Sequence, residues 1–152
     1  MHNLWRRVGR IAYWLSWPAI ILYARTTNRT RLLVTCGDSV LLVKSWLGDG
    51  RWSLPGGGLH GGEPPLQAAL RELKEETSIE LAEADLQLLG AFRFHNHGIS
   101  FPYTLYAATV PTQLSITAQA YEITDIAWLD HTTLPVTTLA PDVITALHAK
   151  WS

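Results

Sequence analysis

A glycine-rich stretch running directly into a carboxylate-bearing helix constrains this chain more than any other feature. Gly56, Gly57, Gly58, Gly61 and Gly62 precede Pro64-Pro65, and residues 66 to 77 follow with helical spacing. Glycines let the backbone approach a ligand or an ion closely, and proline suits the first turn of a helix, where its missing N–H is no loss. Over a helix from about Pro64 to Thr77, Leu66, Ala69, Leu70 and Leu73 share a face and read as the packing stripe. Glu72, Glu75 and Glu76 recur at i, i+3 and i+4, so their side chains are expected to converge. Like charges so placed repel by about 0.2–0.5 kcal/mol per pair in a bare helix. A hard divalent cation offsets that repulsion, and oxygen-only ligands suit magnesium or manganese.

The stretch resembles the Nudix box, G-x5-E-x7-R-E-U-x-E-E-x-G-U, where U is a bulky aliphatic. Gly57, Glu63, Arg71, Glu72, Leu73, Glu75, Glu76 and Ile79 fall on the pattern, while Ser78 stands where the family has glycine. The lead-in Trp52-Ser53-Leu54-Pro55-Gly56-Gly57 is similar to the family's as well, and Glu122 to Leu129 resembles its late strand. The resemblance implies an α/β fold: an α/β/α sandwich with a mixed β-sheet between helices. It also implies MutT-like hydrolysis of a pyrophosphate bond in a nucleoside diphosphate linked to another moiety, with magnesium as cofactor and manganese as its substitute.

Carried over residue by residue, the resemblance makes Glu72, Glu75 and Glu76 metal ligands, with the Gly57 carbonyl completing the set. Catalytic roles fall on Glu72 as the nearest general base, on Glu75, and on Arg71, which orients the glutamates. Glu63 is expected to brace the loop and the helix start. Glycine at position 78 would end the helix in a left-handed conformation, for which serine is less suited by about 1 kcal/mol. The rival function is a nucleotide-sensing module of the same fold without hydrolysis. Such modules often lose box acids, and this chain keeps them.

A chain of 152 residues with net charge −1 makes one domain with a real core and lacks the basic field that binds nucleic acid. The division expected is a helical, aromatic and basic extension over residues 1–29, then the Nudix domain over residues 30–152. Leu4, Val8, Ile11 and Leu15 recur at helical spacing, with Arg6, Arg7 and Arg10 mostly off that stripe. The apolar run after Ile11 falls short of the about 20 residues a membrane span requires. Helices docked on the protein's own core, or on a second copy in a homodimer, are the favoured reading of residues 4–24. A peripheral membrane contact is the alternative. The single cysteine, Cys36, fits a cytoplasmic location and reads as a small strand hydrophobe.

From Arg31 the apolar period becomes that of strands. Residues 32–36 and 40–44 read as a hairpin about Gly37-Asp38-Ser39, residues 85–95, 101–110 and 121–129 as further strands, and 141–148 as a closing helix. On the strand after the box, Arg93, His95 and His97 share one face and Phe92 and Phe94 the other. Arg93, His95, Phe94 and Trp52 are the candidate substrate-binding residues, the aromatics by stacking on a base. Downstream of the box no substrate signature is found.

Overall fold

The computed structural model describes residues 28–46, 48–96, 98–118 and 122–151. Residues 1–27 of the expected extension and His97 lie outside the described residues, while Arg29, counted with the extension, opens the first strand. Five strands, β1 (Arg29–Cys36), β2 (Ser39–Ser45), β3 (Gln87–Asn96), β4 (Ile99–Thr109) and β5 (Ile123–Asp130), form one sheet in the order β3-β4-β1-β2-β5. Among the described residues two α-helices, α1 (Pro65–Thr77) and α2 (Pro141–Trp151), and two single 3-10 turns, Glu83–Asp85 and Val136–Thr138, accompany the sheet. The sheet is mixed: β1 runs parallel to β4, and the remaining neighbours are antiparallel.

Alternation along the strands builds two cores. Leu32, Val34, Leu41 and Tyr106 meet Ala69 and Leu73 of α1 on one face. Leu33, Val40, Leu42, Phe101, Tyr103 and Leu105 meet Val143 and Ala146 of α2 on the other. The central strands are apolar on both faces because both are covered. The layers are therefore α/β/α, as the box implied.

The helix occupies its expected place, but its packing stripe is rotated. Ala68, Ala69, Leu73 and Thr77 are the buried residues of α1, while Leu66 and Leu70 sit at the half-buried edge. Alanines let the helix approach the sheet closely, so the small residues turn inward and the leucines flank them. Thr77 hides its hydroxyl by donating to the Leu73 carbonyl at 2.6 Å.

β1 and β2 pair at Thr35–Val40 and Cys36–Ser39, then part. Residues 53–57 enter the gap. Ser53 exchanges two backbone hydrogen bonds with Val43 of β2, at 2.9 and 3.0 Å, while Leu32 and Thr30 of β1 donate to Pro55 and Gly57 at 3.0 and 2.9 Å. Gly56 has φ 141°, and a Cβ there would stand 2.2 Å from the Thr30 carbonyl oxygen. Only glycine fits that place. The glycine loop is thus built into the sheet and delivers the chain to α1.

Candidate functional site

α1 leaves the loop so that its acidic side faces back over Gly56 and Gly57. A Cβ on Gly57 would fall 2.5–2.8 Å from the Glu72 carboxyl atoms. The Glu72 carboxylate therefore rests in the space that a side chain at 57 would fill. Glu76 reaches the neighbouring residue, its Oε2 accepting the Gly56 N–H at 2.9 Å.

Arg71 gathers the rest of the acids. Its Nε and Nη2 donate to the two oxygens of Glu63 at 2.8 and 2.9 Å. Nη1 donates to Glu72 at 2.8 Å and to Glu75 at 3.2 Å, and Nη2 also reaches the Gly58 carbonyl at 3.1 Å. The planar guanidinium has the donors for such a fork. The Glu63 carboxyl is held down to about 2, first by Arg71 and then by the His60 N–H, whose bond to Oε2 is 3.0 Å. Glu63 also raises Arg71 above its ordinary value, with Glu72 adding to the effect. Glu63, expected to brace the loop, contacts Arg71 and the His60 N–H, and Arg71, expected to orient the glutamates, contacts Glu72 and Glu75.

The expected convergence of the three box glutamates is not what the structure shows. Among the described residues no three His, Cys, Asp or Glu side chains are grouped so as to hold a metal ion. Arg71 draws Glu72 and Glu75 to itself, while the loop amide holds Glu76. The Gly57 carbonyl already accepts the Thr30 N–H, which leaves its second lone pair. The donor set nonetheless suits a hard cation. Glu75 is 54% exposed, so its link to Arg71 is one of the surface pairs worth about 0–1 kcal/mol that rearrange readily. The Glu76 carboxyl is pushed up to about 8, chiefly by burial, with the charges of Glu72 and Glu122 adding to it. A carboxylate so disfavoured gains more from a cation than a solvated one does. Glu122, on the approach to β5, is exposed, and its charge is felt at Glu76.

Arg93 and His95 are exposed on β3 and lie on the α1 side of the sheet. They pair with Pro102 and Ser100 of β4, in alternation with Phe92 and Phe94. Arg93 Nη1 lies 3.5 Å from Ser100 Oγ. Phe94 and Trp52 are on the opposite face, packed against the α2-side core. Phe94 stacks on Phe101 with centroids 4.7 Å apart, and Lys44 Nζ sits 4.4 Å above the Trp52 ring. The four candidate substrate residues are therefore not one cluster, because odd and even positions of β3 face opposite layers.

Two polar clusters escaped the sequence reading. Arg31 and Asp142 form an ion pair at 2.9 Å with side chains 10% and 0% exposed. Asn96 Nδ2 donates at 2.8 Å to Asp49 Oδ2, tying the end of β3 to the turn after β2. Asp49 is held down to about 2, mainly by Arg51. Ser78 does end α1 in the left-handed conformation, at φ 65°, and its hydroxyl donates to the Thr117 carbonyl at 2.9 Å.

The fold agrees with comparison to known proteins. The model of the NUDIX domain matches residues 26–149, and the chain belongs to that family. An 8-oxo-dGTP diphosphatase of Proteus vulgaris is 40% identical over 63 residues, covering 41% of this chain and 55% of the relative. The chain spans between 20% and 55% of the length of the curated relatives it matches. The MutT NUDIX hydrolase of Burkholderia pseudomallei superposes with a TM-score of 0.71 at 23% identity, over 81% of this chain and 96% of that one. A bifunctional NMN adenylyltransferase/ADP ribose pyrophosphatase of Francisella tularensis, solved with AMP and a manganese ion, gives a TM-score of 0.72 at 23% identity, over 95% of this chain and 48% of its own.

Proposed function

We propose that this chain hydrolyses a pyrophosphate bond in a nucleoside diphosphate linked to another moiety, with magnesium as its cofactor and manganese as a substitute. The observation that carries the reading is the pair of carboxylates set against the glycine loop, Glu72 against Gly57 and Glu76 on the Gly56 amide. Glu72, Glu75 and Glu76 would hold the cation, with the second lone pair of the Gly57 carbonyl. The cation, when bound, supplies neutralisation of the diphosphate and easier ionisation of a nearby water. Glu72 takes the proton of the attacking water. Arg71, anchored on Glu63, keeps Glu72 turned toward the loop and offsets its charge until the cation arrives. Arg93 and His95, exposed on the α1 side of the sheet, supply donors for the far end of the substrate. For Phe94 and Trp52 the contacts favour core packing over base stacking. The AMP and manganese ion in the Francisella relative are in keeping with this substrate class.

Retention of Glu72, Glu75 and Glu76 together favours hydrolysis over nucleotide sensing. The proposal includes a cytoplasmic location, for which the single cysteine is the support. Among the described residues no helix is long and apolar enough to cross a membrane.

A hydrolysis screen with magnesium or manganese, read by chromatography of the nucleotide products, tests the reading. It should span nucleoside triphosphates, oxidised nucleotides, ADP-ribose, nucleotide sugars and dinucleoside polyphosphates. One class should be cleaved by the wild type and left intact by Glu76→Gln. Silence across the panel from protein that binds manganese would favour the sensing module. Protein that binds neither metal would overturn the reading.

A further inference from the structure

We propose that Arg31 and Asp142 are positioning residues that act through Gly56 to aim Glu76, an inference that rests on the hydrolase reading above. Asp142 opens α2, on the far side of the sheet from the box helix. Its carboxylate is fully buried and makes four contacts, one of them through Oδ1, which accepts the Val143 N–H at 3.0 Å. Oδ2 meets Arg31 Nε at 2.9 Å, accepts from Ser53 Oγ at 2.7 Å and accepts the Leu54 N–H at 3.3 Å. Arg31 Nη1 in turn donates to the Gly56 carbonyl at 2.6 Å. The N–H of that same glycine holds Glu76 Oε2 at 2.9 Å.

Gly56 is the weak point that this arrangement secures. It has no Cβ, its φ is 141°, and a glycine so placed has wide freedom in both backbone dihedrals. The Pro55 carbonyl is fixed by Leu32 and the Gly57 carbonyl by Thr30. The Gly56 carbonyl between them has the Arg31 guanidinium as its partner. Ser53 and Leu54 fix the chain just upstream. The Gly56 N–H shares its planar peptide unit with the Pro55 carbonyl, which Leu32 holds, and Arg31 holds the next unit through the Gly56 carbonyl. The two together fix both dihedrals of Gly56, and with them which oxygen of Glu76 the loop engages and which is left for a cation. Groups that orient a metal ligand typically change metal affinity by about 10- to 100-fold when removed.

Two variants of the full chain test this, with Mn²⁺ binding followed by electron paramagnetic resonance and the Gly56 amide followed by NMR. Arg31→Met/Asp142→Leu replaces the buried pair with apolar side chains, a change that is often neutral for folding. Arg31→Lys keeps the charge beside Asp142 but lacks the fork that also reaches Gly56. Both should bind Mn²⁺ about 10-fold or more weakly and should shift the Gly56 amide signal, with the overall spectrum remaining that of a folded protein. Folded variants with wild-type Mn²⁺ affinity and an unmoved Gly56 signal would overturn the proposal and leave the hydrolase reading standing. Should the double variant not fold, Arg31→Lys decides on the same two signals. Wild-type protein that binds no Mn²⁺ would bring down the hydrolase reading instead, and the Gly56 signal in Arg31→Lys would still decide the positioning.

Discussion

Two arginines flank the glycine loop, and the contrast between them shows how one site combines adjustment with rigidity. Arg71 stands at the open rim, its side chain 21% exposed, and spreads its donors over Glu63, Glu72 and Glu75. Arg31 sits under the loop, 10% exposed, with one carboxylate partner that has no exposure at all. Water reaches the first network, so its partners exchange at small cost. It reaches the second only at the edge of Arg31, and loss of the fully buried Asp142 leaves an unpaired charge in the interior. The acids that must turn toward a cation are on the exchangeable arginine, and the loop that must stay still is on the fixed one.

Asp142→Ala should expose the contrast most sharply. It strands the Arg31 charge and should cost about 3–5 kcal/mol in urea unfolding. Glu63→Gln should cost only about 1–2 kcal/mol, since Glu72 and Glu75 remain as partners for Arg71. Equal losses would erase the distinction.

Acid separates the two arginines in a second way. The Glu63 carboxyl lies at about 2 in the folded protein against an ordinary 4.5. A depressed carboxyl contributes its full stability above the ordinary value and loses it as pH falls toward the folded one. The gap in stability between wild type and Glu63→Gln should therefore close on going from pH 4.5 to about 2. A gap that stays constant over that range would mean that the Arg71–Glu63 charge pair adds nothing.

The smallest effect belongs to a position outside both networks. Ser78→Gly relieves a left-handed residue worth about 1 kcal/mol and gives up the hydroxyl bond to Thr117, worth about the same. The two should cancel to within roughly 0.5 kcal/mol of the wild-type thermal stability. A larger change in either direction would show that one of the two dominates.

The exchangeable half of the site was legible in the sequence and the fixed half was not. Arg71, Glu72, Glu75 and Glu76 are near neighbours on one helix, so spacing alone places them on adjoining faces. Alternation on β3 likewise separates Arg93 and His95 from Phe92 and Phe94, because a strand has a period of two. What spacing does not give is the direction in which Glu72 and Glu75 turn, which Arg71 decides. Nor does it reveal Arg31 and Asp142, which are brought together only when α2 closes over the sheet. Arg31 at the head of the apolar run Leu32-Leu33-Val34 was the one available sign. The rotated stripe of α1 has a similar origin: hydrophobicity favours the leucines, while close approach to the sheet favours Ala68 and Ala69.

The wedge of residues 53–57 between β1 and β2 sets different length tolerances along the chain. The turn before it, around Gly48 to Gly50, is exposed, and added residues there lengthen a surface connection at little entropic cost. Between Ser53 and Gly57 one residue more or fewer would slide the segment along β1. One residue more would then put Pro55 in the place where a Cβ would stand 2.2 Å from the Thr30 oxygen, and one fewer would draw Gly57 away from Glu72. Insertions and deletions should therefore accumulate before Trp52 and stop there, however freely individual side chains in the segment are exchanged.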